Sequence, residues 1–139
     1  MPFIGQAPKS TFASAIDNAS ITTSNINAAT ITLFKEKKAN ATSGATSTNN
    51  LAVASSFEHT ATQDFTANFT NVPATNTTSW TLEVNNDGTA HTITWQVAGA
   101  DSMQWAEGQV PPPSTGTDVY SFIAIAGEVY GSLAVRNAS

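Results

Sequence analysis

An all-β fold is the first prediction of this sequence, and three observations carry it. Thr, Ser, Asn and Ala dominate, Leu, Lys and Glu are scarce, and only 11% of residues are charged, which suits strands and turns better than helices. Apolar and polar residues alternate with a period of two through a series of short runs separated by turn signals. Two of these turns, at Asp87-Gly88 and near Gly127, sit between runs long enough to be strands. The chain has 139 residues, enough for one domain with a substantial core. The expected architecture is an antiparallel β-sandwich, jelly-roll-like, over residues 51–139, behind an extended N-terminal arm and linker over residues 1–50.

The arm is read from its spacing. Ile16, Ile21, Ile26 and Ile31 recur at every fifth position, a period that fits neither helix nor strand. Two readings stand side by side: a solenoid-like run in which each short piece turns a corner with Ile inward, or one irregular extended segment. Neither buries its isoleucines alone, so both call for other chains. Lys35-Glu36-Lys37-Lys38 follows, either a solvated stretch or an electrostatic docking element. Ile16, Ile21, Ile26, Ile31, Lys35, Lys37 and Lys38 are thus the candidate residues for binding partner subunits. Ala39 to Asn50 holds no large apolar residue and reads as a flexible linker or surface loop.

The body is expected to start near Leu51. Phe57, His59 and Ala61, then Phe65, Ala67 and Phe69, alternate with polar neighbours as two strands with one apolar face each. Ser79 to Val97 reads as an antiparallel hairpin with a type I′ turn at Asp87-Gly88. That register pairs Val84 with His91, Leu82 with Ile93 and Trp80 with Trp95 on one face. Met103 and Trp105 mark a short strand, and Pro111-Pro112-Pro113 an irregular connection that cannot pair within a sheet. Asp118 to Arg136 reads as a second hairpin turning near Gly127, with a two- or three-residue loop. It is apolar on both faces, through Val119, Ile123 and Ile125 on one and Tyr120, Phe122 and Ala124 on the other. Such strands are expected to lie centrally in a sandwich or beneath a subunit interface.

Charge and composition restrict the function. Residues 1–38 hold four lysines against two acids, net +2, and residues 39–139 hold Arg136 against eight acids, net −7. An acidic body disfavours nucleic-acid binding. There are no cysteines, so disulfides and thiolate metal sites are excluded. No run reaches the length of a membrane span, and the start, MPFIGQAPKS, lacks the pattern of a secretory leader. Five N-x-S/T triplets, starting at Asn18, Asn40, Asn68, Asn76 and Asn137, are read as a by-product of Asn/Thr-rich composition.

Little chemistry is expected. His59 and His91 fall on apolar strand faces without metal-ligand spacing and read as histidines at the core edge. The acid pairs Glu58/Asp64 and Asp101/Glu107 sit in polar surroundings that would not raise the pKa of one member for glycosidase work. Trp80, Trp95 and Trp105 could make a carbohydrate platform, but their inward positions favour core packing. The chain is therefore expected to be no enzyme and to need no cofactor. Asp87, Gly88, Trp80, Trp95, Tyr120, Phe122 and Gly127 are assigned to turns and core.

The run Trp95…Trp105…Pro111-Pro112-Pro113…Thr117-Asp118-Val119-Tyr120-Ser121-Phe122…Gly127…Val129-Tyr130-Gly131 resembles the β-sandwich module of bacteriophage virion-surface proteins. The resemblance spans roughly Ser79 to Val135 and rests on aromatic and turn positions. It implies a trimer on the outside of a phage particle. The expected function is a capsid decoration (cement) protein bound to the major capsid protein; the alternative is a short tail or head fibre that binds a host-surface receptor. A carbohydrate-binding module is the expectation from a different class.

Overall fold

The computed structural model describes residues 35–98 and 103–139. Nine strands run through them: β1 (Thr42–Ser43), β2 (Thr46–Asn50), β3 (Ser56–Ala61), β4 (Phe65–Thr70), β5 (Thr78–Asn86), β6 (Ile93–Val97), β7 (Met103–Trp105), β8 (Thr117–Ile125) and β9 (Glu128–Ala138). The single helical element among the described residues is a 3₁₀ turn, Ala106–Gly108. The all-β expectation holds.

The strands form a mixed six-stranded sheet, ordered β1-β3-β5-β8-β9-β7, and a parallel three-stranded sheet, ordered β2-β4-β6. The antiparallel expectation holds only for β5–β8 and β8–β9. Each of the first three strand pairs instead places one strand in the large sheet and the next in the small one. The three pairs stack in parallel: β1 on β3 on β5, and β2 on β4 on β6.

The expected hairpin at Asp87-Gly88 is therefore overturned. Leu82 pairs with Phe57 and Tyr120, and Ile93 pairs with Phe65, so the two halves lie in different sheets. Period-two alternation supplies each strand with one apolar face in either arrangement. In a hairpin Trp80, Leu82, Val84, Ile93 and Trp95 would share one face and need another layer to cover it. The six residues between Asn86 and Ile93 carry the chain across to the second sheet instead. Gly88 still needs its freedom, at φ +97°, but Asp87 is not left-handed, so the turn is not type I′.

The loops at this end stack as the strands do. Asp64, in the three-residue connection from β3 to β4, accepts the Thr92 N–H at 2.7 Å, and the Phe65 N–H donates to the Thr92 carbonyl at 3.1 Å.

The expected linker is overturned too. Thr42–Ser43 and Thr46–Asn50 are strands, and Leu51 follows β2 in a turn instead of opening the body. Inward positions of the first pair are polar: Ser47 and Asn49 are buried, with Asn49 Nδ2 donating to the Ser47 and Asn68 carbonyls. Even Lys37 to Ala39 belongs to the body. The Ser55 and Ser56 N–H groups donate to the Lys37 carbonyl, and the Ala39 N–H to the Ser56 carbonyl.

The core is aromatic and draws on both sheets. Phe69 of β4 lies 5.4 Å from Trp80 of β5, 6.4 Å from Trp95 of β6 and 4.8 Å from Phe122 of β8, ring centre to ring centre. Trp95 meets Trp105 of β7 and Tyr120 of β8 edge-on. Gly131 makes room for this cluster, since a Cβ there would sit 2.9 Å from the Trp105 ring. Trp80, Tyr120 and Phe122 are thus core residues as expected, and Trp95 packs against that core.

The β8–β9 hairpin closes with the two-residue loop Ala126-Gly127, and Ile125 pairs with Glu128. Both loop residues are left-handed, at φ +52° and +88°, as a type I′ turn requires. Alanine bears a steric penalty there that asparagine bears less. Ala126→Asn is expected to raise stability to urea by about 0.5–1 kcal/mol; an unchanged or lower midpoint contradicts this turn.

The strand order makes a second expectation, and the cysteine-free chain gives it a clean background. Thr81→Cys with Ser121→Cys, directly opposed on β5 and β8, should form a disulfide under mild oxidation. Thr81→Cys with Thr94→Cys, opposed only in the hairpin register, should not. The reverse result, read by mass and gel mobility, would restore the hairpin.

Candidate functional site

Strand alternation gives the large sheet an outer face, and the chain uses its two halves differently. On β3 and β5 the outward residues are polar or charged. Lys38 Nζ lies 2.6 Å from Glu58 Oε2, and Asn85 Nδ2 donates to Glu58 Oε1 at 2.9 Å and to Glu83 Oε1 at 3.2 Å. Thr117 Oγ1 then donates to Asn85 Oδ1 at 2.9 Å, at the start of β8. Glu58 and Glu83 are register neighbours, and the shared Asn85 amide and the Lys38 ammonium offset their repulsion. The bond to Glu58, and the negative charge behind it, hold the Lys38 pKa above its ordinary value. Lys38 is thus paired with the body while its side chain stays about half exposed, at 52%. Lys35 and Lys37 are exposed.

The paired outward residues from Val119 to Ile125 of β8 and from Val135 to Tyr130 of β9 are uncharged, with Glu128 at the hairpin end and the exposed Arg136 next to Val135. Val119 pairs with Val135, Ser121 with Ser132, and Ile123 with Tyr130. Ile123, Ile125, Tyr130 and Val135 are 38–48% exposed. The expectation of burial on both faces is met on one only: Tyr120, Phe122 and Ala124 are buried, whereas the opposite face is open and apolar. The serine pair forms a dip between two apolar ridges. Beside it runs a groove of about 330 Å³ walled by Trp105, Ala106, Ser121, Ile123, Tyr130 and Ser132. This half-face is the candidate functional site, an interaction surface.

Two buried polar centres fix the edges of the body. Asp118, fully buried, accepts the Ser114 N–H at 2.7 Å, the Ser114 hydroxyl and the Asn137 N–H at 2.9 Å. Its carboxylate therefore ties the proline-rich loop and the end of β9 to the start of β8. Burial, with the Asp118 charge acting in the same direction, pushes the neighbouring Tyr120 phenol well above its ordinary range.

At the other edge His59 is fully buried, stacked on Phe65 at 4.0 Å, with Nδ1 2.9 Å from Thr42 Oγ1. The Ser47 hydroxyl donates to Asn49 Oδ1, and the Thr42 hydroxyl donates to the Glu58 carbonyl or to Ser47 Oγ. Thr42 Oγ1 and His59 Nδ1 share a hydrogen bond whose direction follows the ring tautomer, and His59 Nε2 has no hydrogen-bond partner among the described residues.

The other sequence candidates disperse. His91 sits on the connection between β5 and β6, Nε2 2.9 Å from Asp87 Oδ1, instead of on an apolar strand face. That hydrogen bond holds the Asp87 carboxyl below its usual range. Glu58 belongs to the outer face and Asp64 to the β3–β4 connection, so they make no acid pair; Asp101 lies outside the described residues. Trp80 is 2% exposed, whereas Trp95 and Trp105 are partly buried and packed against the core, with Trp105 also walling the groove. Among the described residues no group of three or more His, Cys, Asp or Glu is placed to hold a metal ion. No described helix is long and apolar enough to cross a membrane. Ile16, Ile21, Ile26 and Ile31 lie outside the described residues. No family model, curated protein or solved structure matches the chain.

Burial lowers the His59 pKa, and the nearby Gly44 backbone offsets this only in part. The unfolded chain therefore takes up the proton first. Stability is complete above pH 6.5, the unfolded value, and falls as pH drops from there toward the depressed folded pKa. Denaturation midpoints at pH 7, 6 and 5 should fall in that order, and His59→Leu should flatten the trend. An equal slope in the variant would assign the effect elsewhere.

Proposed function

We propose that this chain is a structural protein of a bacteriophage virion. It acts as a trimeric decoration (cement) protein that binds the outside of the major capsid protein shell. The observation that carries the reading is the division of the outer face: a hydrogen-bonded polar half on β3–β5, and an open half on β8–β9 where Ile123, Ile125, Tyr130 and Val135 are exposed. Contiguous exposed apolar surface on an otherwise polar body marks a place where another protein binds. The resemblance of the Trp95–Gly131 aromatic and turn pattern to virion-surface modules supplies the class of assembly.

On this reading the body is a sandwich of two sheets, supported by the aromatic contacts of Phe69 with β5, β6 and β8. Parallel strand pairs do not support a jelly roll. The first 34 residues, with Ile16, Ile21, Ile26 and Ile31, act as the attachment arm, and Lys35 and Lys37 add positive charge beside it. The protein works without catalysis or cofactor, and binds neither nucleic acid nor membrane.

One observation favours a second reading, a short tail or head fibre that contacts a host receptor. Three strand pairs stacked in parallel form a unit that lengthens by repetition, as fibre shafts do.

The test uses undecorated capsids of the parent phage. The full chain should bind them at a copy number on the scale of the major capsid protein. Deleting residues 1–34, which spares the Lys37–Ala39 pairing with the body, should abolish binding while the β-rich circular dichroism persists. Undiminished binding by the truncated chain would remove the arm from attachment. A few copies confined to one site on the particle would favour the fibre.

A further inference from the structure

His59 is buried beneath the first strand pair, and polar packing is most of what holds that pair down. Thr42 of β1 and Ser47 and Asn49 of β2 turn inward there, where β4 places Phe65, Ala67 and Phe69. No residue of β1 or β2 enters the hydrophobic core; Ala39 and Leu51, just outside them, are partly buried against it. β1 pairs through Thr42 and Ser43 with His59 and Thr60 alone, and β2 with β4 alone. Segments with few apolar contacts open at a lower free energy than the core does. Among the described strands, this pair exposes the least apolar surface when it opens.

A charged imidazole does not fit the closed arrangement. It carries an N–H on both nitrogens. Thr42 Oγ1 can accept the one at Nδ1, 2.9 Å away, whereas Nε2 has no partner among the described residues. The ring's neighbours are Thr42 and Gly44 of the first pair, Phe65 of β4 and Val84 of β5, with Ser47 behind Thr42. No charged group among the described residues faces it. Glu58 points to the outer face with Lys38 and Glu83; Asp64, 73% exposed, accepts the Thr92 N–H; and His91 is held by Asp87. The Gly44 backbone favours the proton, but burial outweighs it. Lifting β1–β2 away gives both ring nitrogens water.

We propose that the β1–β2 pair is an acid-operated latch: protonation of His59 releases it from β3 and β4 while the aromatic core around Phe69 stays closed. The latch lies where the described body begins, directly after the first 34 residues of the chain. It does not depend on the virion role.

Amide hydrogen exchange on the isotope-labelled full chain, corrected for the intrinsic effect of pH, provides the test. The Leu51 N–H, bonded to the Thr70 carbonyl, and the Thr66 N–H, bonded to the Ala45 carbonyl, report on the latch. Amides between β5 and β8 report on the core. At pH 7 the latch amides should be the less protected, and low urea should hardly speed them, because a local opening exposes little surface. Below pH 6.5, the ordinary histidine value, their protection should fall by up to about tenfold per pH unit until the depressed folded value is reached. His59→Gln should abolish that fall, and His91→Gln should leave it. Equal protection of latch and core, latch exchange as sensitive to urea as the core's, or a fall that persists in His59→Gln or vanishes in His91→Gln would each overturn the proposal. The His59 ring signals of the unaltered chain give a readout that needs no variant to fold. They should be those of the neutral ring at pH 6.5, and a charged ring there with the latch amides still protected would also overturn it.

Discussion

Phe69 is the residue on which the body depends. Its ring, fully buried, touches Trp80 and Phe122 in the large sheet and Trp95 beside it in the small one. Each of the first strand pairs sends one strand to either sheet, so neither sheet is closed by local hairpins in this part of the chain. What holds the two apolar faces together is burial of side chains contributed by separate pairs. Burying an aromatic ring of this kind contributes about 2–3 kcal/mol, and the contacts centred on Phe69 involve four strands at once.

Local chemistry was legible where it is self-contained. The β3, β4 and β7 strands, the proline-rich connection and the turn at Gly127 follow from alternation and turn residues alone. Topology was not legible, because alternation states which face is apolar and not what that face meets. Ser79 to Val97 is consistent with a hairpin on every local criterion. The choice of partner is made by Phe57, Phe65 and Tyr120, far away in sequence, which pair with Leu82 and Ile93. Ala39 to Asn50 hides its strands for the opposite reason. Strand interiors are expected to be apolar, whereas the interior of the first pair is built from Ser47, Asn49 and Thr42 around His59, with hydrogen bonds in place of hydrophobic burial.

The candidate site shows the same division. That Asp118 to Arg136 is apolar on both faces is plain from the sequence, and this points to either a central position or an interface. The structure gives the strands a buried inner face and an open outer one. The polar half of the sheet, joined from Lys38 through Glu58 and Asn85 to Thr117, depends on parallel register and could not be foreseen from residue spacing. In that half Lys38 pairs with Glu58, and Asn85 bonds both glutamates, whereas the apolar half has no cover within the described residues.

The central claim is that the chain crosses between two sheets after Asn86 instead of turning back on itself. Amide and ring proton contacts measured by nuclear magnetic resonance on the isotope-labelled chain test it most directly. Sequential neighbours across strands should connect Ala67 with Ser47 and Trp95, and Leu82 with Phe57 and Tyr120, while Phe69 ring protons contact Trp80, Trp95 and Phe122. Strong backbone contacts between Leu82 and Ile93, with none between Ala67 and Trp95, would contradict the account.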